Sequence, residues 1–163
     1  MKKIFLFDCD QTIWASGDND YISSVISPLV LVSKDSIKRT IDGKIFSLKL
    51  GVRKAFKHIY DAGYTLGIVS DNTKSMVIKA LKLFKIDEYI DPNAVNVSLW
   101  KGYCPKQQMV LEILAKPEFR EIPRVNAYWF DDKDYYKEAQ LIGVNFVRVG
   151  VETSFINMIL SAL

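Results

Sequence analysis

The chain has 163 residues, with 22 Lys and Arg against 19 Asp and Glu and 49% hydrophobic residues, the balance of a folded globular protein rather than a disordered or fibrous one. At this length roughly two-thirds of the unfolded surface can be buried, so one domain over residues 1–163 is expected, with no need of disulfide or metal staples. A net charge of +3 is too small to mark a nucleic-acid surface, which shows as a concentrated basic stripe, and no nucleic-acid partner is expected.

Cys9 and Cys104 stand far apart without a CxxC or Cys/His cluster. Neither a disulfide framework nor a zinc site is indicated, and a reducing, cytoplasmic setting is the default expectation. The apolar start at residues 4–7 is interrupted by Asp8 and Asp10. That is far short of the roughly 20 apolar residues that span a bilayer, so no membrane or targeting segment is expected. A monomer is the expected state.

In chain order, residues 3–7 form a nearly continuous apolar run, and the same design recurs at 64–69, 94–97, 125–130 and 145–149. Such runs predict strands buried on both faces. Between them, helical spacing joins Val52, Phe56, Ile59 and Tyr60, then Met76, Val77, Ala80, Leu81 and Phe84, then Met109, Val110, Ile113 and Leu114. The alternation predicts a three-layer α/β/α, Rossmann-like fold around a central parallel sheet, with functional groups at the carboxyl ends of the strands. Residues 15–50 break the rhythm. Val30, Val32, Ile37, Ile41, Ile45, Phe46 and Leu48 surround Asp42-Gly43, a dipeptide suited to a tight turn, which predicts a small β-hairpin flap inserted after the first strand.

Three of the apolar runs end in polar residues of one chemical kind. The first ends in Asp8-Cys9-Asp10-Gln11-Thr12, the second in Ser70-Asp71-Asn72-Thr73, and the fourth in Asp131-Asp132-Lys133-Asp134. In a parallel sheet these converge at one edge, where crowded carboxylates either take up protons or bind a cation, and an all-oxygen set suits Mg²⁺.

With these motifs the sequence resembles the haloacid dehalogenase (HAD) superfamily, whose first motif, Asp-x-Asp-x-Thr after an apolar strand, is matched by Asp8, Asp10 and Thr12. Ser70 fits the second motif, Lys106 the third, and Asp131-Asp132 the fourth, each in order. Within the superfamily the chain is most similar to the small magnesium-dependent phosphatases, in its length, in Trp14 directly after the first motif, and in its small β cap. Where that group carries Arg after the second-motif Ser this chain has Asp71, an anion in the phosphate-binding set that bears on substrate recognition.

The resemblance implies a phosphatase. Asp8 would attack phosphorus to form an aspartyl-phosphate, while Asp10 would protonate the leaving oxygen and then activate water. Mg²⁺ would be held by Asp8, by the main-chain carbonyl of Asp10, by Asp131, and by Asp132 or Asp134. Ser70 and Lys106 would hold phosphoryl oxygens, and Thr12 would orient Asp10 or cap the turn. The substrate would be a phosphorylated small molecule or a phosphoprotein, with phosphotyrosine and sugar phosphates both open. A two-metal nuclease and a receiver-like signalling module are the alternatives, since each also gathers Asp residues at strand ends.

Other residues read more plainly. Ser70 and Thr73 suit helix capping, and Asp71 and Asn72 suit a cap or a turn. A cysteine-dependent phosphate loop is excluded, because the positions where it needs arginine hold Ala15 and Val110. Cys9 reads as a buried filler pointing away from any metal, and His58 as structural. Trp100, Tyr103, Trp129, Tyr135 and Tyr136 read as core or rim, and Trp14 as a candidate for the pocket mouth. Lys34, Lys38, Lys44 and Lys49 solvate the hairpin, with reception of an anionic substrate as the second reading.

Overall fold

The computed structural model describes residues 2–99, 105–150 and 155–162; Trp100, Tyr103 and Cys104 lie outside the described residues. The first strand, β1 (Ile4–Phe7), is buried at every position, as a strand covered on both faces must be. The chain then builds an insertion of four strands, β2 (Trp14–Ala15), β3 (Leu29–Ser33), β4 (Ser36–Arg39) and β5 (Ile45–Leu48). It returns through α1 (Val52–Asp61), β6 (Thr65–Ser70), α2 (Lys74–Leu83), β7 (Val95–Val97) and α3 (Pro105–Leu114). β8 (Ala127–Asp131), α4 (Tyr136–Ile142), β9 (Asn145–Arg148) and α5 (Phe155–Ala162) complete it.

The five strands of the main sheet run parallel in the order β7-β6-β1-β8-β9. Successive side chains of a strand point to opposite faces, so β1 feeds two cores. Phe5 and Phe7 pack with Phe56 and Ile59 of α1, Val77 and Leu81 of α2, and Phe155 and Ile159 of α5. Ile4 and Leu6 pack on the other face with Met109, Val110 and Ile113 of α3 and Ala139 of α4. The ring of Phe7 stacks on Phe130 at 4.5 Å and on Phe155 at 5.6 Å, which pins β1 to β8 and α5.

From β1 the chain builds outward on one side through β6 and β7, then crosses to the other through β8 and β9. At such a reversal the loops at the carboxyl ends diverge and leave a crevice. β6 and β8 each run one residue past the apolar runs, so Ser70 and Asp131 are strand residues in register with Val97 and Arg148. Ladder bonds use backbone groups alone, and a polar side chain can close a strand as well as an apolar one.

The insertion is larger than a hairpin. Around β4 and β5, joined through Asp42-Gly43, β3 and β2 add on either side to give the antiparallel order β2-β5-β4-β3. Gly43 takes φ +72°, and its N–H bonds Arg39 O at 2.9 Å while Arg39 N–H bonds Lys44 O at 2.8 Å, closing the turn. β3 lies at the edge and buries only Leu29, so its apolar run exposes Val30, Leu31 and Val32. A period-2 or continuous apolar pattern does not distinguish such an edge from a central strand.

Gly67 is required by packing. A Cβ there would stand 2.3 Å from Ala94 O, 2.6 Å from Ala94 Cβ and 2.8 Å from Leu6 Cδ2. Gly67→Ala must therefore push β6 off the turn before β7, at a cost of about 1–3 kcal/mol or more. A urea unfolding midpoint that drops accordingly is the expected result; an unchanged midpoint contradicts this packing.

Candidate active site

The three central strands deliver the candidate residues to one point. Asp8 directly follows β1, and its N–H continues the ladder onto Phe130 O at 2.9 Å. The chain then turns back on itself. Cys9 O accepts from the N–H groups of Thr12, Ile13 and Trp14 at 3.2, 2.8 and 3.2 Å, with Gln11 in the left-handed region at φ +60°. A non-glycine residue holds that conformation only where its surroundings fix it.

Asp8 is 5% exposed and Asp131 is fully buried, two anions that require compensation. Lys106, near the start of α3 and itself buried, supplies it, with Nζ 2.6 Å from Asp8 Oδ1 and 2.7 Å from Asp131 Oδ2. Burial pushes the Lys106 ammonium down, but Asp8 and Asp131 outweigh burial and hold it charged. Ser70 Oγ donates to Asp8 Oδ1 at 3.1 Å and Thr12 Oγ1 to Asp8 Oδ2 at 3.5 Å. Lys133 N–H donates to Asp131 Oδ1 at 3.1 Å. Asp8, Asp131 and Asp132 each offer an oxygen within 4.8 Å of the others, an all-carboxylate set of the kind that suits a hard divalent cation. Burial, and then the neighbouring Asp8, raise the Asp132 carboxyl. Asp134 stands apart and accepts the Tyr136 N–H at the start of α4.

Asp10 is served by a separate set of donors. Its Oδ1 accepts from Trp14 Nε1 at 2.8 Å and from Ile22 N–H at 2.9 Å, and its Oδ2 from Asn72 Nδ2. Burial outweighs these bonds and raises Asp10 to about 6. Its side chain is thus no member of the carboxylate cluster.

Several sequence expectations change here. Trp14 is fully buried, stacked on Phe84 at 5.8 Å, and holds Asp10 rather than lining the pocket mouth. Thr12 bonds Asp8, not Asp10, because the turn brings its hydroxyl back over the carboxylate four residues earlier. Asn72 does more than cap or turn: it accepts from Thr73 N–H before α2, but it is also buried, accepts from Ser23 Oγ and donates to Asp10. These partners lie up to 62 residues apart, and only Trp14, next to the motif, gave a local signal. Cys9 is buried, its thiol pushed up by burial and by Asp8 and Asp10, and its side chain meets Ser70. His58 is exposed on α1. Asp71 lies exposed at the rim of a cavity of about 330 Å³ above Asp8 and Asp10, with Tyr21, Ser23, Ser24, Lys133 and Tyr135.

A sequence profile of haloacid dehalogenase-like hydrolases matches residues 7–149. The chain belongs to that family. A search of curated proteins finds no match. Among solved structures, a HAD-superfamily hydrolase from Ehrlichia chaffeensis is similar with a TM-score of 0.66 and 13% identity over 99% of this chain and 97% of that one. A Mg-complexed phosphatase domain from Bacteroides fragilis has a TM-score of 0.59 and 16% identity, covering 100% of this chain and 40% of that one. The fission yeast RNA polymerase II CTD phosphatase bound to beryllium fluoride has a TM-score of 0.51 and 15% identity, covering 91% and 41%. At these identities the likeness is one of fold, and the HAD fold accounts for the parallel sheet with its inserted antiparallel one. No helix among the described residues is long and apolar enough to cross a membrane.

The insertion that shapes the HAD cavity is tied down by charge. Of its four lysines, Lys44 is paired with Asp18 at 2.6 Å and Asp20 at 2.8 Å, and Lys34 with Asp35 at 3.9 Å, while Lys49 is half-buried and its amine is lowered by burial. Asp20 also accepts from Arg39 Nη2 at 2.6 Å and Ser24 Oγ at 3.0 Å. Burial pushes Asp20 up, but the bonds from Lys44, Arg39 and Ser24 together outweigh it and hold the carboxyl well below the usual range. A carboxyl depressed in the folded state stabilises above its unfolded value, about 3.9, and that contribution disappears as pH falls through the folded value. The wild type is therefore expected to exceed Asp20→Asn in unfolding midpoint at neutral pH, with the gap closing as pH is lowered below about 4. A gap that is constant with pH contradicts the ionic role of Asp20.

Proposed function

We propose that the chain is a Mg²⁺-dependent phosphomonoester hydrolase that carries the phosphoryl group on Asp8. The observation behind this reading is the contrast between two buried carboxylates two positions apart. Asp8 is surrounded by a charged ammonium and hydroxyl donors. Asp10 is raised to about 6 among neutral donors. Two carboxylates given such different partners suit the separate roles of nucleophile and proton carrier.

Asp8 attacks phosphorus and the bond to the leaving oxygen breaks, with the proton of Asp10 passing to that oxygen. In the second step Asp10 takes a proton from water, the water oxygen joins phosphorus, and the Asp8–phosphorus bond breaks to release inorganic phosphate. Lys106 and Ser70, both on Asp8 Oδ1, are placed to take phosphoryl oxygens as charge and hydroxyl donor. Asp8, Asp131 and Asp132 would hold Mg²⁺. When bound, Mg²⁺ neutralises the phosphoryl charge that otherwise repels the nucleophile.

The Mg-complexed phosphatase domain and the CTD phosphatase among the similar structures support this reading over a nuclease. Asp10 favours turnover over a receiver-like module, which stores its phosphoryl group and needs no acid beside the nucleophile. The cavity, with Ser23, Ser24 and two tyrosines around it, suits a small phosphorylated molecule or the side chain of a phosphoprotein.

A panel of phosphomonoesters assayed with Mg²⁺ tests the proposal. The wild type is expected to release phosphate and to stop when EDTA removes the metal. Asp8→Asn is expected to lose at least about a thousandfold in kcat with an unchanged circular-dichroism spectrum. Substantial activity in Asp8→Asn overturns the nucleophile assignment.

A further inference from the structure

Arg39, at the end of β4, is 1% exposed, although it lies in the insertion rather than in the catalytic sheet. Every nitrogen of its guanidinium is engaged. Nε meets both Asp42 oxygens at 3.1 Å, and Nη2 meets Asp42 Oδ2 and Asp20 Oδ2 at 2.6 Å each. Nη1 donates to Tyr21 O at 2.9 Å, Ile22 O at 3.3 Å and Ser24 Oγ at 2.7 Å. The guanidinium carbon lies 5.4 Å from the centre of the Phe46 ring on β5.

The segment it grips, residues 20–24, has no strand or helix of its own. Its place is set by side-chain bonds: Arg39 meets Asp20, Tyr21, Ile22 and Ser24, while Lys44, Ser16 and Gln11 also hold Asp20. Yet, with Trp14, it forms the surroundings of Asp10. Ile22 N–H bonds Asp10 Oδ1 directly. Ser23 Oγ bonds Asn72 Oδ1, and the amide nitrogen of Asn72 bonds Asp10 Oδ2. Thr73 N–H bonds both Ser23 Oγ, at 3.3 Å, and Asn72 Oδ1, at 2.9 Å, locking that relay to the start of α2. Beside the bond from Trp14 Nε1, both oxygens of Asp10 are therefore oriented through this segment, and Arg39 reaches four of its five residues.

We propose that Arg39 is a positioning residue for the acid–base step: it fixes residues 20–24 on the inserted sheet so that Ile22 and the Ser23–Asn72 relay aim Asp10 at the leaving oxygen. The proposal rests on the phosphatase reading of Asp10. Burying a guanidinium among carboxylates gives little net stability relative to apolar packing of the same volume. What it does give is direction, because a planar fork of five N–H groups meets partners on three sides at fixed angles, which an ammonium cannot do. Arg39 stands on β4, paired on both sides within the four-stranded sheet, and the insertion thereby acts on proton transfer as well as on access.

The effect of a misplaced acid depends on the leaving group, since a weakly basic leaving oxygen departs without a proton and a strongly basic one does not. kcat/KM, which covers the steps through departure of the leaving group, is to be measured with Mg²⁺ for 4-nitrophenyl phosphate and for an alkyl phosphate. Arg39→Met is compared with Arg39→Lys, which keeps the buried charge against Asp20 and Asp42 and so preserves the fold if the apolar variant does not. The expected loss is within about threefold for the nitrophenyl ester and at least about tenfold for the alkyl ester. Adding Arg39→Lys to Asp10→Asn is expected to produce no further loss. Equal losses for both esters, no loss for either, or additive losses in the double variant overturn the proposal while leaving the phosphatase reading intact. A wild type that hydrolyses neither ester overturns both.

Discussion

The structure depends on burying carboxylates at the ends of two adjacent parallel strands, β1 and β8. Parallel strands covered on both faces leave their carboxyl ends as the place where polar groups can gather, and here Asp8, Asp10 and Asp131 all lie within the molecule. Their charge is managed in two different ways. Asp8 and Asp131 share the Lys106 ammonium. Asp10 receives neutral donors only, and burial raises it, like Asp131, to about 6. The proposed division between nucleophile and proton carrier rests on that unequal treatment of chemically identical groups.

The second consequence concerns the insertion between β1 and α1. In a chain of this size it looks like a minor flap, too small to enclose a substrate. Its sheet nevertheless carries the buried Arg39, and residues 20–24 stand between that arginine and Asp10. The same segment presents Tyr21, Ser23 and Ser24 to the cavity. One short stretch of irregular backbone thus borders the cavity and bonds Asp10, and a substitution that reshapes the first acts also on the second.

Much of this is legible in the sequence, for identifiable reasons. The apolar runs at 3–7, 64–69 and 125–130 announce central strands because such strands are buried on both faces, and the polar residues after them mark the edge where a site forms. Asp8, Ser70, Lys106, Asp131 and Asp132 are brought together as the motif order implies. The partners of Asp10 are not legible. Ile22 acts through its backbone N–H, which no side-chain pattern reveals; Asn72 reaches Asp10 across 62 residues of chain, and Arg39 meets Tyr21 and Ile22, not Asp10, across 18 and 17. Trp14 is conspicuous in the sequence, but an indole can face a pocket or a core and only tertiary packing decides. The extent of the inserted sheet is hidden for a similar reason: β3 is an exposed edge whose apolar residues resemble those of a central strand.

The central claim is that phosphoryl transfer passes through Asp8 itself. Rapid acid quenching of the wild type during turnover of a phosphomonoester with Mg²⁺, followed by mass spectrometry of its peptides, tests that claim most directly. The account predicts a phosphoryl adduct on Asp8 that forms and decays as fast as the enzyme turns over. Phosphate release without any adduct on Asp8, or an adduct that outlasts many turnovers, would contradict it.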